Sequence, residues 1–200
     1  MKNTFFILAL LLFTFPFFAQ NEVSAAFSES YLQEYNKEYS KAINALDNIY
    51  DTNSYEINLR LGWLNYLNTD YVKSKNYYTN AMKLKPGSIE AKLGYVYPIA
   101  ATESWGDLMK IYNSILAIDP NHYTANFRLS TMYYYQKDFW NAKKYSEILM
   151  KLYPFDYSNN LLLGKINVSL GNIILAKKHL NNALLYDPTA TEVLNLLKTL

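Results

Sequence analysis

The chain has no cysteine, which excludes disulfide staples and thiolate metal centres and leaves stability to packing alone. Glycine and proline are sparse, at six each in 200 residues, so neither a collagen-like nor a disordered chain fits. Charge of one sign is not in excess. Nineteen basic against 17 acidic side chains leave a formal +2, too little for a large field that recruits nucleic acid or anionic lipid. Only two histidines are present, and no metal-ligand spacing pairs them. What is there is a half-apolar, helix-rich composition with 20 tyrosines.

One long uncharged run occurs. Phe5 to Phe18 follows a basic start at Lys2 and leads into Ala19-Gln20, the pattern of a secretory leader with cleavage after Ala19. The product is expected to be exported, periplasmic or secreted, and to begin at Gln20. A spanning helix needs about 20 apolar residues, and Pro16 falls late in the run. Bulky Phe17 keeps an uncleaved N-terminal anchor open as the alternative.

A period of 34 organises the rest. Pro86, Pro120, Pro154 and Pro188 are evenly spaced, as are Tyr71, Trp105, Phe139 and Ile173, and Ala81, Ile115, Leu149 and Ala183. Each proline pushes the residue before it out of helical dihedrals, which places helix ends at Lys85, Asp119, Tyr153 and Asp187. Half a period earlier, Asp70, Ser104, Asp138 and Asn172 offer side-chain oxygens to open a second helix, and Ser104 with Asp107 has capping-box spacing. Ala176, Leu180, Ala183 and Leu184 define one apolar helical face, as do Leu108, Tyr112, Ile115 and Leu116. Leu61-Gly62, Leu93-Gly94, Leu129-Ser130 and Leu163-Gly164 pair a large residue with a small one where helix backbones approach closely.

These residues resemble the tetratricopeptide repeat, a 34-residue helix-turn-helix. The match runs through Leu61-Gly62, Tyr71, Tyr78, Ala81 and Pro86, and again through Leu163-Gly164, Ala176, Leu180, Ala183 and Pro188. The resemblance implies an all-α, right-handed superhelical solenoid of antiparallel helix pairs, about five repeats plus a C-terminal capping helix. Residues 1–19 are then the leader and 20–200 the solenoid, with units near 23–54, 55–88, 89–122, 123–156 and 157–190. The first unit, carrying Tyr39, Ala42, Leu46 and Ile49, is two residues short. The cap is 191–200, with Val193, Leu196, Leu197 and Leu200 at i, i+3, i+4 and i+7 over the last core face. The related pentatricopeptide repeat is a poorer fit, because a nearly neutral, exported chain binds RNA badly. In the third unit Leu93-Gly94 comes two residues early and Pro98 falls inside the first helix, so a longer turn and a kink near Tyr95 to Ile99 are expected.

Little here can carry catalysis. His122 follows a unit-closing proline and His179 sits beside Lys177 and Lys178, so both read as solvated surface. No phosphate loop, nucleophile elbow or carboxylate pair stands outside the repeat, so neither an enzyme nor a cofactor is expected. Lys143 and Lys144, repeated as Lys177 and Lys178, read as the wet face of second helices. Asn167-Val168-Ser169 spells a glycosylation signal inside a predicted helix.

Tyr39, Tyr71, Tyr78, Tyr112 and Tyr133 fall at core positions of the repeat. The resemblance also implies a ligand groove lined by first helices. Its positions here are Tyr31, Tyr35, Trp63, Tyr66, Tyr95, Phe127, Tyr134, Tyr135 and Lys165. Such rings either pack on neighbouring first helices or anchor an extended peptide or partner helix, with sugar stacking also open. The carboxylate clamp of chaperone-binding members is absent, since Leu59, Trp63, Phe127 and Thr131 occupy those places. The expected function is a non-enzymatic scaffold that binds a protein or peptide segment. The alternative is a structural subunit of an envelope secretion or assembly complex, engaged through convex or edge surfaces.

Overall fold

The computed structural model describes residues 21–200, so the leader and its cut after Ala19 lie outside the described residues. Those residues form eleven helices and no strand. They are α1 (21–35), α2 (Tyr39–Asp47), α3 (Tyr55–Leu67), α4 (Tyr71–Leu84), α5 (Ile89–Ala101), α6 (Trp105–Leu116), α7 (Tyr123–Tyr135), α8 (Phe139–Leu152), α9 (Tyr157–Ser169), α10 (Ile173–Tyr186) and α11 (Thr191–Lys198). The chain divides into two compact units, one up to Trp105 and one from Gly106. In the first, α2 packs on α3, α3 on α4 and α4 on α5; in the second, α7 to α11 pack in the same sequential way.

Capping explains where the helices begin. Asp70 accepts from the Lys73 amide at 3.0 Å and Asp138 from the Asn141 amide at 3.1 Å, as the column of cap residues predicts. The column is incomplete, however. Asn172 makes no side-chain cap bond, and before α6 the Ser104 hydroxyl meets Thr102 Oγ1 at 3.4 Å while Asp107 pairs with Lys110. First helices have their own cap column, also 34 apart: Ser54, Ser88, His122 and Asp156 each accept from the amide three residues on. Four residues after each cap stand Asn58, Lys92, Asn126 and Asn160, all buried. Each donates to the backbone carbonyl six residues earlier, satisfying acceptors that the unit-closing turn would otherwise strand.

The apolar columns lie inside. Ala81, Ile115, Leu149 and Ala183 are fully buried. Ala42, Leu46, Ile57, Leu61 and Leu64 join α2 to α3. On the last helix, Val193 is fully buried and Leu196, Leu197 and Leu200 pack against Leu180 and Ala183, so α11 closes the final core face as a cap. Fully burying a leucine such as Leu46, Leu61 or Leu180 stabilises by about 2 kcal/mol.

The third unit corrects an expectation. Its turn is not longer: α5 has 13 residues like α3, α7 and α9, and Glu103 (φ 52°) holds the left-handed turn position of Thr69 (62°), Lys137 (62°) and Gly171 (74°). The earlier Lys37 (φ 61°) stands 32 residues before Thr69, where the short first unit ends its turn. Leu93-Gly94 is therefore not a displaced copy of Leu61-Gly62 but occupies an earlier helix position and meets the same partner ring from the following helix. A Cβ on Gly62 would lie 2.9 Å from the Tyr78 ring of its own pair, whereas one on Gly94 would come within 2.2 Å of the same ring from the following helix. Tyr78 is 3% exposed between them, and burial pushes its phenol pKa up. Pro98 sits buried within α5, and the helix continues through it to Ala101.

Candidate functional site

The first unit carries a concave pocket of about 970 Å³. Its walls come from α1, α3, the end of α4, and α5. Phe27 and Tyr31 stand on α1, Leu59 and Trp63 on α3, and Leu93 and Tyr97 on α5. Trp63 meets Tyr97 edge-on at 5.5 Å and Tyr66 at 5.6 Å, and Tyr66 lies 5.3 Å from Tyr97. Such ring clusters hold one another in place, so the wall presents aromatic area at little entropic cost.

A charged group ties α1 to α3 beneath these rings. Arg60 is 7% exposed, pairs with Glu34 through Nη1, and donates from Nε to Ser30 Oγ at 3.1 Å. The other Glu34 oxygen accepts from the Trp63 indole at 2.7 Å. One carboxylate thus neutralises a buried guanidinium and fixes the indole. The Tyr31 ring covers the guanidinium, with its centroid 3.9 Å from Cζ, and the buried Nη2 has no hydrogen-bond partner.

At the opposite rim, the Tyr55 hydroxyl donates to Glu90 at 3.0 Å and accepts from Ser88 at 2.7 Å. Lys85 lies 4.0 Å over the Tyr55 ring and 3.1 Å from Glu56. Burial chiefly raises the Tyr55 pKa. The Glu56 pKa is lowered, first by its own backbone amide and then by Lys85. The pocket therefore combines aromatic walls with charged groups that, Arg60 Nη2 apart, are held by partners.

Of the groove residues read from the sequence, Tyr31 and Trp63 line this pocket and Tyr66 packs against Trp63. Tyr35 is 86% exposed and lies outside the lining. Tyr95 is also outside it; Tyr97 holds the helix position of Trp63, because counting from Gly94 starts two residues early. Phe127, Tyr134, Tyr135 and Lys165 belong to the second unit. Phe127 and Tyr134 pack around Ala142, Leu162 and Ile166, Tyr135 is exposed beside Tyr134, and Lys165 pairs with Glu192. Glu34, Arg60 and Ser30 escaped sequence reasoning. Their spacing follows no multiple of the period and spells no motif.

Neither histidine is free surface. His122 caps α7, its Nδ1 accepting from the Ala125 amide at 3.3 Å. His179 Nδ1 lies 3.2 Å from Asn160 Oδ1, and its pKa is lowered by burial first and by Lys178 next. The unfolded chain then binds protons more tightly than the folded one, so stability is lost as pH falls below the ordinary histidine value of about 6.5. Urea midpoints between about pH 7.5 and 5.5 are expected to fall less in His179→Gln than in the wild-type protein. Asn167 is buried in α9 with its amide on the Leu163 carbonyl at 2.8 Å, which removes it as a glycan acceptor. Among the described residues no cluster of three or more His, Asp or Glu is placed to hold a metal.

With that geometry in view, the whole chain can be set beside solved structures. It overlays a tetratricopeptide repeat protein from Parabacteroides merdae with a TM-score of 0.75 at 13% identity, over 88% of this chain and 71% of that one. The fold is a tetratricopeptide-repeat fold. It also resembles the crystal structure of MamA (TM-score 0.71, 15% identity, 86% of this chain and 96% of that one) and MamA from Desulfovibrio magneticus (0.70, 14%, 85% and 97%). No protein-family model matches the chain, and no curated protein is similar enough in sequence to count as a relative. In this chain the helix-pair geometry is kept by caps, buried amides and alternating small and large residues.

Proposed function

We propose that the protein is an exported, non-enzymatic scaffold that holds a segment of another polypeptide in the aromatic pocket of its first unit. The observation that carries this reading is the wall of Tyr31, Trp63 and Tyr97 around a pocket of about 970 Å³, braced from below by the Glu34–Arg60 pair. Rigid amphipathic rings over a fixed base lose little freedom on binding, and interfaces concentrate their affinity on such anchors. The tetratricopeptide-repeat fold supports the reading by analogy alone.

Replacing Trp63 and Tyr97 together with alanine is expected to abolish capture of the partner from an envelope lysate. Helical circular dichroism should persist, because both rings are partly exposed. Undiminished capture by a folded double variant would remove the pocket from the account.

A further inference from the structure

The second unit carries a surface unlike the pocket. Trp140 (70% exposed) opens α8, and Ile174 (87% exposed) stands at the same place on α10, 34 residues on. One helical turn further along each lies a lysine pair, Lys143 and Lys144 on α8, Lys177 and Lys178 on α10. Trp140 and the first pair border one shallow depression with Lys151 and Glu147, and Lys143 Nζ lies 5.9 Å from the Trp140 ring centroid. Both helices pack against α9, and the charges of Lys178, Glu147 and Lys143 all bear on His179 of α10. Across α8 and α10 five lysines face a single acidic residue, Glu147, which lies 3.6 Å from Lys143. The near-neutral total thus conceals a local excess of positive charge that the composition alone argues against.

We infer that this face of α8 and α10 docks on an anionic membrane surface. Protruding apolar side chains, Trp140 at 70% and Ile174 at 87% exposure, set among an excess of lysines combine an insertable group with positive charge, the pairing that an anionic interface takes up. Tryptophan sits at headgroup depth, and lysine stems lie along the apolar layer with their ammonium groups on lipid phosphates. No helix among the described residues is long and apolar enough to cross a membrane, so the contact is peripheral.

The test is sedimentation of the full chain with vesicles of neutral phosphatidylcholine, against vesicles in which about 30% is anionic phosphatidylglycerol. Lys2 and the amino terminus ahead of the apolar run also favour anionic vesicles, so the lysine face is read as the part of the ratio that the quadruple variant below removes. At about 50 mM salt the anionic vesicles are expected to bind at least about tenfold more tightly, with the preference fading towards about 500 mM. Lys143→Gln, Lys144→Gln, Lys177→Gln and Lys178→Gln combined should erase most of the preference with helicity unchanged. Trp140→Ala should weaken binding to anionic vesicles several-fold while leaving the salt dependence. Equal binding to both vesicles, or a preference that the quadruple variant leaves undiminished, would overturn the inference. So would lysine-dependent binding to poly-glutamate without vesicle binding, which would make the occupant an acidic polypeptide.

Discussion

Glu34→Ala is expected to destabilise the protein by about 3 kcal/mol, the range for stripping a buried charge of its partner. Arg60 is buried, while Glu34 retains 23% side-chain exposure, which puts the effect at the lower end of that range. The loss has two parts. The guanidinium keeps only the Ser30 hydroxyl as an acceptor, and the Trp63 indole loses its own. Glu34→Gln keeps one acceptor, for the indole, but turns its NH2 toward Arg60 Nη1 and leaves the guanidinium charge unpaired, so it should lose nearly as much, about 2 kcal/mol. Combining Glu34→Leu with Arg60→Met should recover most of the stability, because a buried ion pair replaced by apolar groups is often neutral. Urea unfolding separates these outcomes. It would also show whether the pair holds the pocket or merely decorates it, since the recovered double variant is expected to bind poorly with Trp63 untethered.

Gly94→Ala is the second large effect, at about 2 kcal/mol of destabilisation after allowing for the better helix propensity of alanine. The added Cβ would meet Tyr78 at 2.2 Å, and the ring is already hemmed in by Gly62, where a Cβ would stand 2.9 Å from it. Gly87→Ala, with no atom within 4 Å of the new Cβ, should stay within about 0.5 kcal/mol of wild type. In a Tyr78→Ala background the Gly94 penalty should largely disappear, a non-additivity that identifies the ring as the cause. A penalty undiminished there would mean that the glycine serves the backbone rather than the ring.

The repeat was readable because proline, cap and apolar columns each recur at one interval for independent physical reasons. The buried column of Ala81, Ile115, Leu149 and Ala183 and the capping leucines of α11 follow directly. Less visible was the cap column Ser54, Ser88, His122 and Asp156, whose members share only an acceptor atom. The asparagines that secure the closing turns were hidden by Lys92, which does the same work with an ammonium group. The pocket was half legible. Tyr31 and Trp63 lie on the repeat's register, but Leu93-Gly94 mimics the pairing glycine while serving the neighbouring unit, and it shifted attention from Tyr97 to Tyr95. Arg60 and Glu34 come together only once α1 packs beside α3, a relation that no local spacing encodes.

The claim that the first unit's aromatic pocket holds a partner segment is tested most directly by placing a photo-crosslinking phenylalanine analogue at Tyr97 in living cells. With the protein expressed in its own cell, the account predicts an adduct with one discrete polypeptide, lost when Trp63 is replaced with alanine and absent when the same analogue replaces Val72 on the exposed face of α4. No adduct at Tyr97, or one equally strong at Val72 and indifferent to Trp63, would contradict it.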